Sequence, residues 1–136
     1  MEVLGGAASV IAVVQIAGKV WSLCWKYYGD AKEAKSDIKR LMNIVQTMQT
    51  VLQQVEGLAE GPGAIKLHAS NPLIEELKQE FERLEKLLKP SSTKSIMRSL
   101  GHRLKWPLKK EEVENTLHLL EQHKTTLIIV MNCDQM

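Results

Sequence analysis

Four histidines, two cysteines and one pair of adjacent serines are the residues of this 136-residue chain that would carry metal or nucleophilic chemistry. A zinc site needs three or four ligands brought together at short, regular spacings. His68, His102, His118 and His123 are scattered, and the last two are five apart, which takes them off one helix face. Ser91 and Ser92 have no base near them in sequence, and neither a glycine-rich phosphate loop nor a nucleophile elbow is present. Cys24 lies among aromatic residues and reads as a small buried hydrophobe, while Cys133 has no charged neighbourhood that would make it a thiolate. Two cysteines build no disulfide scaffold. An enzyme, a metal centre and a bound cofactor are therefore not expected.

The chemistry that the sequence does concentrate is charge. The formal net charge is only +2, but residues 86–110 carry +8, with Lys86, Lys89, Lys94, Arg98, Arg103, Lys105, Lys109 and Lys110 and no acidic residue. The 26 residues that follow carry −4. A local field of that size attracts anionic surfaces whatever the net charge. Lys94, Arg98, Arg103, Lys105, Lys109 and Lys110 are the candidate contacts to anionic lipid; the bland alternative is a solvated loop. Nucleic acid is not the expected partner. Aromatic residues make up 4% of the chain, Trp106 is the only one near the basic block, and an acidic helix adjoins it.

The elements that must carry this block read as helices. From Val3 to Trp25 the only charged residue is Lys19. Those residues predict a first helix over about 3–28, apolar all round, with a span of roughly 34 Å from Val3 to Trp25. Such a helix is either the buried centre of a bundle or a membrane-seeking segment of about bilayer thickness. Glu2 in place of a basic leader, and aromatics in place of a cleavage site, fit a secretory signal badly. Gly5 with Ser9, Ala8 with Ala12 and Gly18 with Ser22 are small-residue pairs that permit close helix approach in lipid. Trp21, Trp25, Tyr27 and Tyr28, beside Lys19 and Lys26, resemble an interfacial belt.

Gly29-Asp30 predicts a break. A second helix over about 30–56 follows, with Ala31, Ala34, Ile38, Leu41, Val45, Met48, Leu52 and Val55 stepping by three and four. Gly57, Gly61, Pro62 and Gly63 end it in a loop to about residue 70. Asn71-Pro72 reads as the cap of a third helix, whose seam is Ile74, Leu77, Phe81, Leu84 and Leu88 and which stops at Lys89-Pro90. Residues 90–107 read as a basic connector with a short extra helix near Lys94–Leu100. Trp106-Pro107 then opens a last helix with Val113, Leu117, Leu120, Leu127 and Met131 as its seam. The expected architecture is all-α: one domain over residues 1–136, a four-helix bundle with the apolar first helix at its centre. The last helix runs almost to the end of the sequence, which suggests the N-terminal part of a longer protein.

The opening stretch from Met1 to Gln15 resembles the N-terminus of fungal STAND (NOD-like) receptors. So does the block from Leu104 to Val113, with Leu87 to Ser92 before it. Together they resemble the HeLo-like N-terminal domain of those receptors, similar to the HeLo domain and to the four-helix bundle of the mixed-lineage kinase-like pseudokinase. The resemblance implies a cell-death effector of innate immunity and heterokaryon incompatibility. On this expectation the domain is cytoplasmic at rest, is released by a downstream receptor or amyloid-signalling module, forms a homo-oligomer, and permeabilises the plasma membrane. It assigns insertion to Val3, Leu4, Gly5, Gly6, Val10, Ile11, Val13, Val14 and Ile16. Some relatives of this kind serve only as recruitment modules, so a non-lytic adaptor remains the alternative.

Overall fold

A computed structural model describes residues 2–30, 34–57, 71–90, 100 and 105–132. The side chains before Val10 and after Val130, and that of Asn71, lie outside the described set. Four helices account for nearly all of it: α1 Glu2–Asp30, α2 Lys35–Gly57, α3 Asn71–Leu88 and α4 Lys110–Asn132. No strand occurs among the described residues, so the chain is an all-α four-helix bundle.

Side-chain contacts between helices set their directions. The Gln49 amide donates to the Val14 carbonyl at 3.2 Å and Lys35 stands over the Tyr28 ring, so α1 and α2 are antiparallel. Tyr27 reaches Leu88 and Lys19 reaches Glu85, so α1 and α3 run the same way. Arg40 pairs with Glu114, while Thr47 and Glu121 line one groove further along, which makes α2 and α4 parallel. Arg83 meets Thr116 and Glu76 meets His123, so α3 and α4 are antiparallel. In cross-section the order is α1, α2, α4, α3, with α1 diagonal to α4.

The core follows the expected seams where their side chains are described; Ala34 is half-buried, and Ala31 and the Met131 side chain lie outside the described residues. Ile38, Leu41, Val45, Met48, Leu52 and Val55 are buried on α2, as are Ile74, Leu77, Phe81, Leu84 and Leu88 on α3. Each such side chain taken fully from water stabilises by about 1.5–3 kcal/mol, offset in large part by chain entropy. Met42, Ile44 and Val51 are buried on α2 as well, because this helix faces two neighbours rather than one. On α4, Val113, Leu117, Leu120 and Leu127 are buried together with Thr116. Lys124 interrupts that seam without entering the core, because its ammonium reaches out to Glu121 at 2.9 Å.

Three expectations are corrected. The first helix is not the centre of the bundle but one of its corners. It buries Val10, Val13, Ala17, Val20, Cys24 and Tyr27, which step by three, four, three, four and three. Its other face meets solvent at Ile11, Gln15, Lys19, Ser22, Trp25 and Lys26. Gln15, Lys19, Ser22 and Lys26 step by four, three and four and keep that face in water, while the mostly small opposite stripe, closed by Tyr27, fits against the neighbouring helices. Second, Gly29 and Asp30 remain helical, so the break falls after Asp30. Third, α4 begins at Lys110 and not at Trp106-Pro107. The Lys109 backbone N–H donates to Glu112 Oε1 at 3.1 Å, the reciprocal half of a capping box, and this fixes the start. The expected short helix near Lys94–Leu100 falls, but for Leu100, outside the described residues.

Candidate functional site

One end of the bundle gathers the unusual residues. The C-terminus of α1, the C-terminus of α3, the start of α2 and the start of α4 all meet there. Tyr27 is buried under this end, and its hydroxyl donates to the Leu88 carbonyl at 2.7 Å. Leu88 is the last residue of α3, so this carbonyl is one of those a helix C-terminus leaves without a partner. The Trp106 ring stands edge-on to Tyr27, with centroids 5.4 Å apart and planes at 79°. Leu108 is buried beside it, so the segment before α4 is tied to the base of α1.

Around this junction the surface is aromatic on one side and basic on the other. Trp21, Trp25 and Tyr28 stack along α1 at centroid spacings of 5.9 Å, with interplanar angles of 4° and 14°. The spacing follows from their positions, four and three residues apart on one helical face. Trp25 is 57% exposed, which is unusual for the largest apolar side chain. Lys35 Nζ lies 5.1 Å from the Tyr28 ring centroid, a cation over the end of the stack. On the other flank, Lys19, Lys26 and Lys89 line a shallow groove of about 440 Å³ between α1 and α3, floored by Gly18 and Ser22. Among the described residues Glu85 is the only acidic one lining it, 4.0 Å from Lys19. Lys105, Lys109 and Lys110 are exposed next to Trp106.

Of the residues assigned to insertion, Val10 and Val13 are in the core, Val14 and Ile16 are half-buried, and Ile11 is 40% exposed. Val3, Leu4, Gly5 and Gly6 lie in α1 with their side chains outside the described residues. Among the described residues no helix is long and apolar enough to cross a membrane. Of the lipid-contact candidates, Lys105, Lys109 and Lys110 are placed at the aromatic end, while Lys94, Arg98 and Arg103 lie outside the described residues. Lys19, Lys26, Lys35 and Lys89 were not singled out as lipid contacts. They come from three separate stretches of the sequence: Lys19 and Lys26 stood out only as neighbours of the aromatic belt and Lys89 only as part of the basic block, and it is the fold that brings them together with Lys35.

Burial pushes the Cys24 thiol up to about 12, far from a reactive thiolate. His123 lies 3.7 Å from Glu76 on the α3–α4 side, away from the junction. No group of three metal-ligating side chains occurs among the described residues. Compared with known families, characterised proteins and solved structures, the chain matches none of them.

Proposed function

We propose that this chain is a HeLo-like membrane-targeting cell-death effector domain, cytoplasmic at rest, which oligomerises and permeabilises the plasma membrane through α1. The observation that carries this reading is the end of the bundle where the exposed Trp25, stacked between the half-buried Trp21 and Tyr28, shares the surface with Lys26, Lys35, Lys89, Lys105, Lys109 and Lys110. Aromatic rings favour the membrane–water interface, and each lysine near an anionic surface contributes about 1 kcal/mol. On this reading the end holds the near leaflet, and α1 is directed so that its N-terminal half enters the acyl chains with Trp25 and Lys26 left at the interface. The apolar length required includes Val3–Ser9. The buried stripe of α1 also favours release. Val10, Val13, Ala17 and Val20 give up less apolar contact than a leucine seam would.

Dye leakage from vesicles containing anionic lipid tests the proposal. Oligomeric protein is expected to empty them, removal of residues 1–20 to abolish leakage, and neutralisation of Lys94, Arg98, Arg103 and Lys105 to weaken it. Vesicles that stay intact at low salt would sink the lytic reading. The second reading, a non-lytic adaptor module, draws on the opposite end of the bundle, where Ile11, Ile128 and Ile129 are exposed. It predicts self-association without leakage, lost in Ile129→Asp.

A further inference from the structure

The Tyr27–Trp106 contact links the two parts that the membrane reading keeps separate, the basic segment and α1. Trp106 lies between exposed Lys105 and the Lys109-Lys110 pair, so any surface that draws these lysines pulls on the backbone that carries the ring. The ring is seated on Tyr27, the last buried residue of the α1 stripe. The seat is held by packing alone: the Trp106 indole N–H is buried and finds no acceptor among the described residues. Withdrawing the ring therefore breaks no indole hydrogen bond to the described residues and returns a buried donor to water. By contrast, the Tyr27 hydroxyl donates to the Leu88 carbonyl at 2.7 Å.

We propose that Trp106 is a latch on α1: when Lys105, Lys109 and Lys110 engage an anionic lipid surface, the indole leaves Tyr27 and the C-terminal turns of α1 loosen from the bundle. The inference rests on the membrane reading and adds its trigger. Attraction of the basic segment and release of the helix become one event. The latch also gives a reason for the order of events, since α1 loosens only where anionic lipid is present.

Hydrogen exchange on the whole 136-residue chain tests it, with vesicles of phosphatidylserine and phosphatidylcholine against phosphatidylcholine alone. Amides from Val20 to Tyr28 are expected to exchange at least tenfold faster on the anionic vesicles and unchanged on the neutral ones. Trp106→Ala should produce the same local acceleration without vesicles, and Trp106→Phe, which keeps an edge contact, should not. A uniform rise over all four helices in Trp106→Ala, or none in α1, overturns the latch. If Trp106→Ala does not fold, the triple variant Lys105→Gln, Lys109→Gln, Lys110→Gln decides, compared at equal bound fraction. Its α1 amides should remain slow, and wild-type acceleration in this variant overturns the proposal. Failure of the wild type to sediment with anionic vesicles defeats the membrane reading instead, and the vesicle-free arm then judges the seat alone.

Discussion

Tyr27 and Leu88, 61 residues apart, are joined by a 2.7 Å hydrogen bond from the phenol to a helix-terminal carbonyl, and that bond ties the end of α1 to the end of α3. Both residues are buried, so neither partner has water as a ready substitute. Tyr27→Phe keeps the ring against Trp106 and deletes only the donor. It should lower stability by about 1–2 kcal/mol, the usual result of leaving a buried acceptor unpaired. Chemical denaturation measures this, and an unchanged midpoint would show that the phenol is not holding the junction.

Phe81 and Leu87 lie on the same helix six residues apart, one fully buried and one 41% exposed. Phe81→Ala should cost about 3–5 kcal/mol by removing ring contacts from the centre of the bundle. Leu87→Ala should stay within about 0.5 kcal/mol. A comparable loss in both variants would contradict the orientation of α3.

Gly18 is where α1 comes close to α2, and a Cβ there would meet Gln49 Nε2 at 3.2 Å. The neighbour is the far end of a half-buried side chain, and the carbonyl it bonds, that of Val14, belongs to a helix that can spare it. Gly18→Ala should therefore raise the thermal midpoint, with up to about 1 kcal/mol gained from helix propensity. A clear drop would mean that Gln49 is held more firmly than its exposure implies.

Cys24 is buried, and burial raises its thiol to about 12 from the ordinary value of 9.0. Burial raises the Tyr27 phenol as well. For both, the folded state holds the proton longer than the unfolded chain does. Their contribution to stability is full below pH 9, and it is lost as pH rises from there toward 12. Denaturation midpoints should fall across that window, and a thiol reagent should modify Cys24 only after unfolding. Labelling of the folded protein at pH 8 would count against the packing of α1.

The fold was largely legible in the residues because α2, α3 and α4 alternate apolar and polar positions at helical spacing. Ile38 to Val55 and Ile74 to Leu88 define their own buried faces, and the structure uses those faces. Composition alone left α1 ambiguous. With almost no polar residue before Lys19, the solvent stripe is marked only by the sparse Gln15, Lys19, Ser22 and Lys26, and the structure buries Val10, Val13, Ala17 and Val20 on the face opposite. A periodic signal was present in those steps of three and four, hidden because its surroundings were apolar too.

The basic block was plain in the sequence, since charge of one sign over 25 residues needs no partner to be seen. Its relation to α1 was not. Lys26, Lys35, Lys89 and Lys105 share a bundle end with Trp25 only because the helices run antiparallel or parallel as they do. Directions and neighbours are set by side-chain fit between segments distant in the chain, which local propensity does not encode. The sequence by itself determined four helices, an apolar N-terminus and a positive connector. The tertiary structure decided that α1 occupies a corner, that its aromatic end adjoins the lysines, and that Trp106 rests on Tyr27. Those outcomes depend on contacts such as Val14–Gln49, Tyr27–Leu88 and Tyr27–Trp106, 35 to 79 residues apart, where packing and not pattern selects the partner.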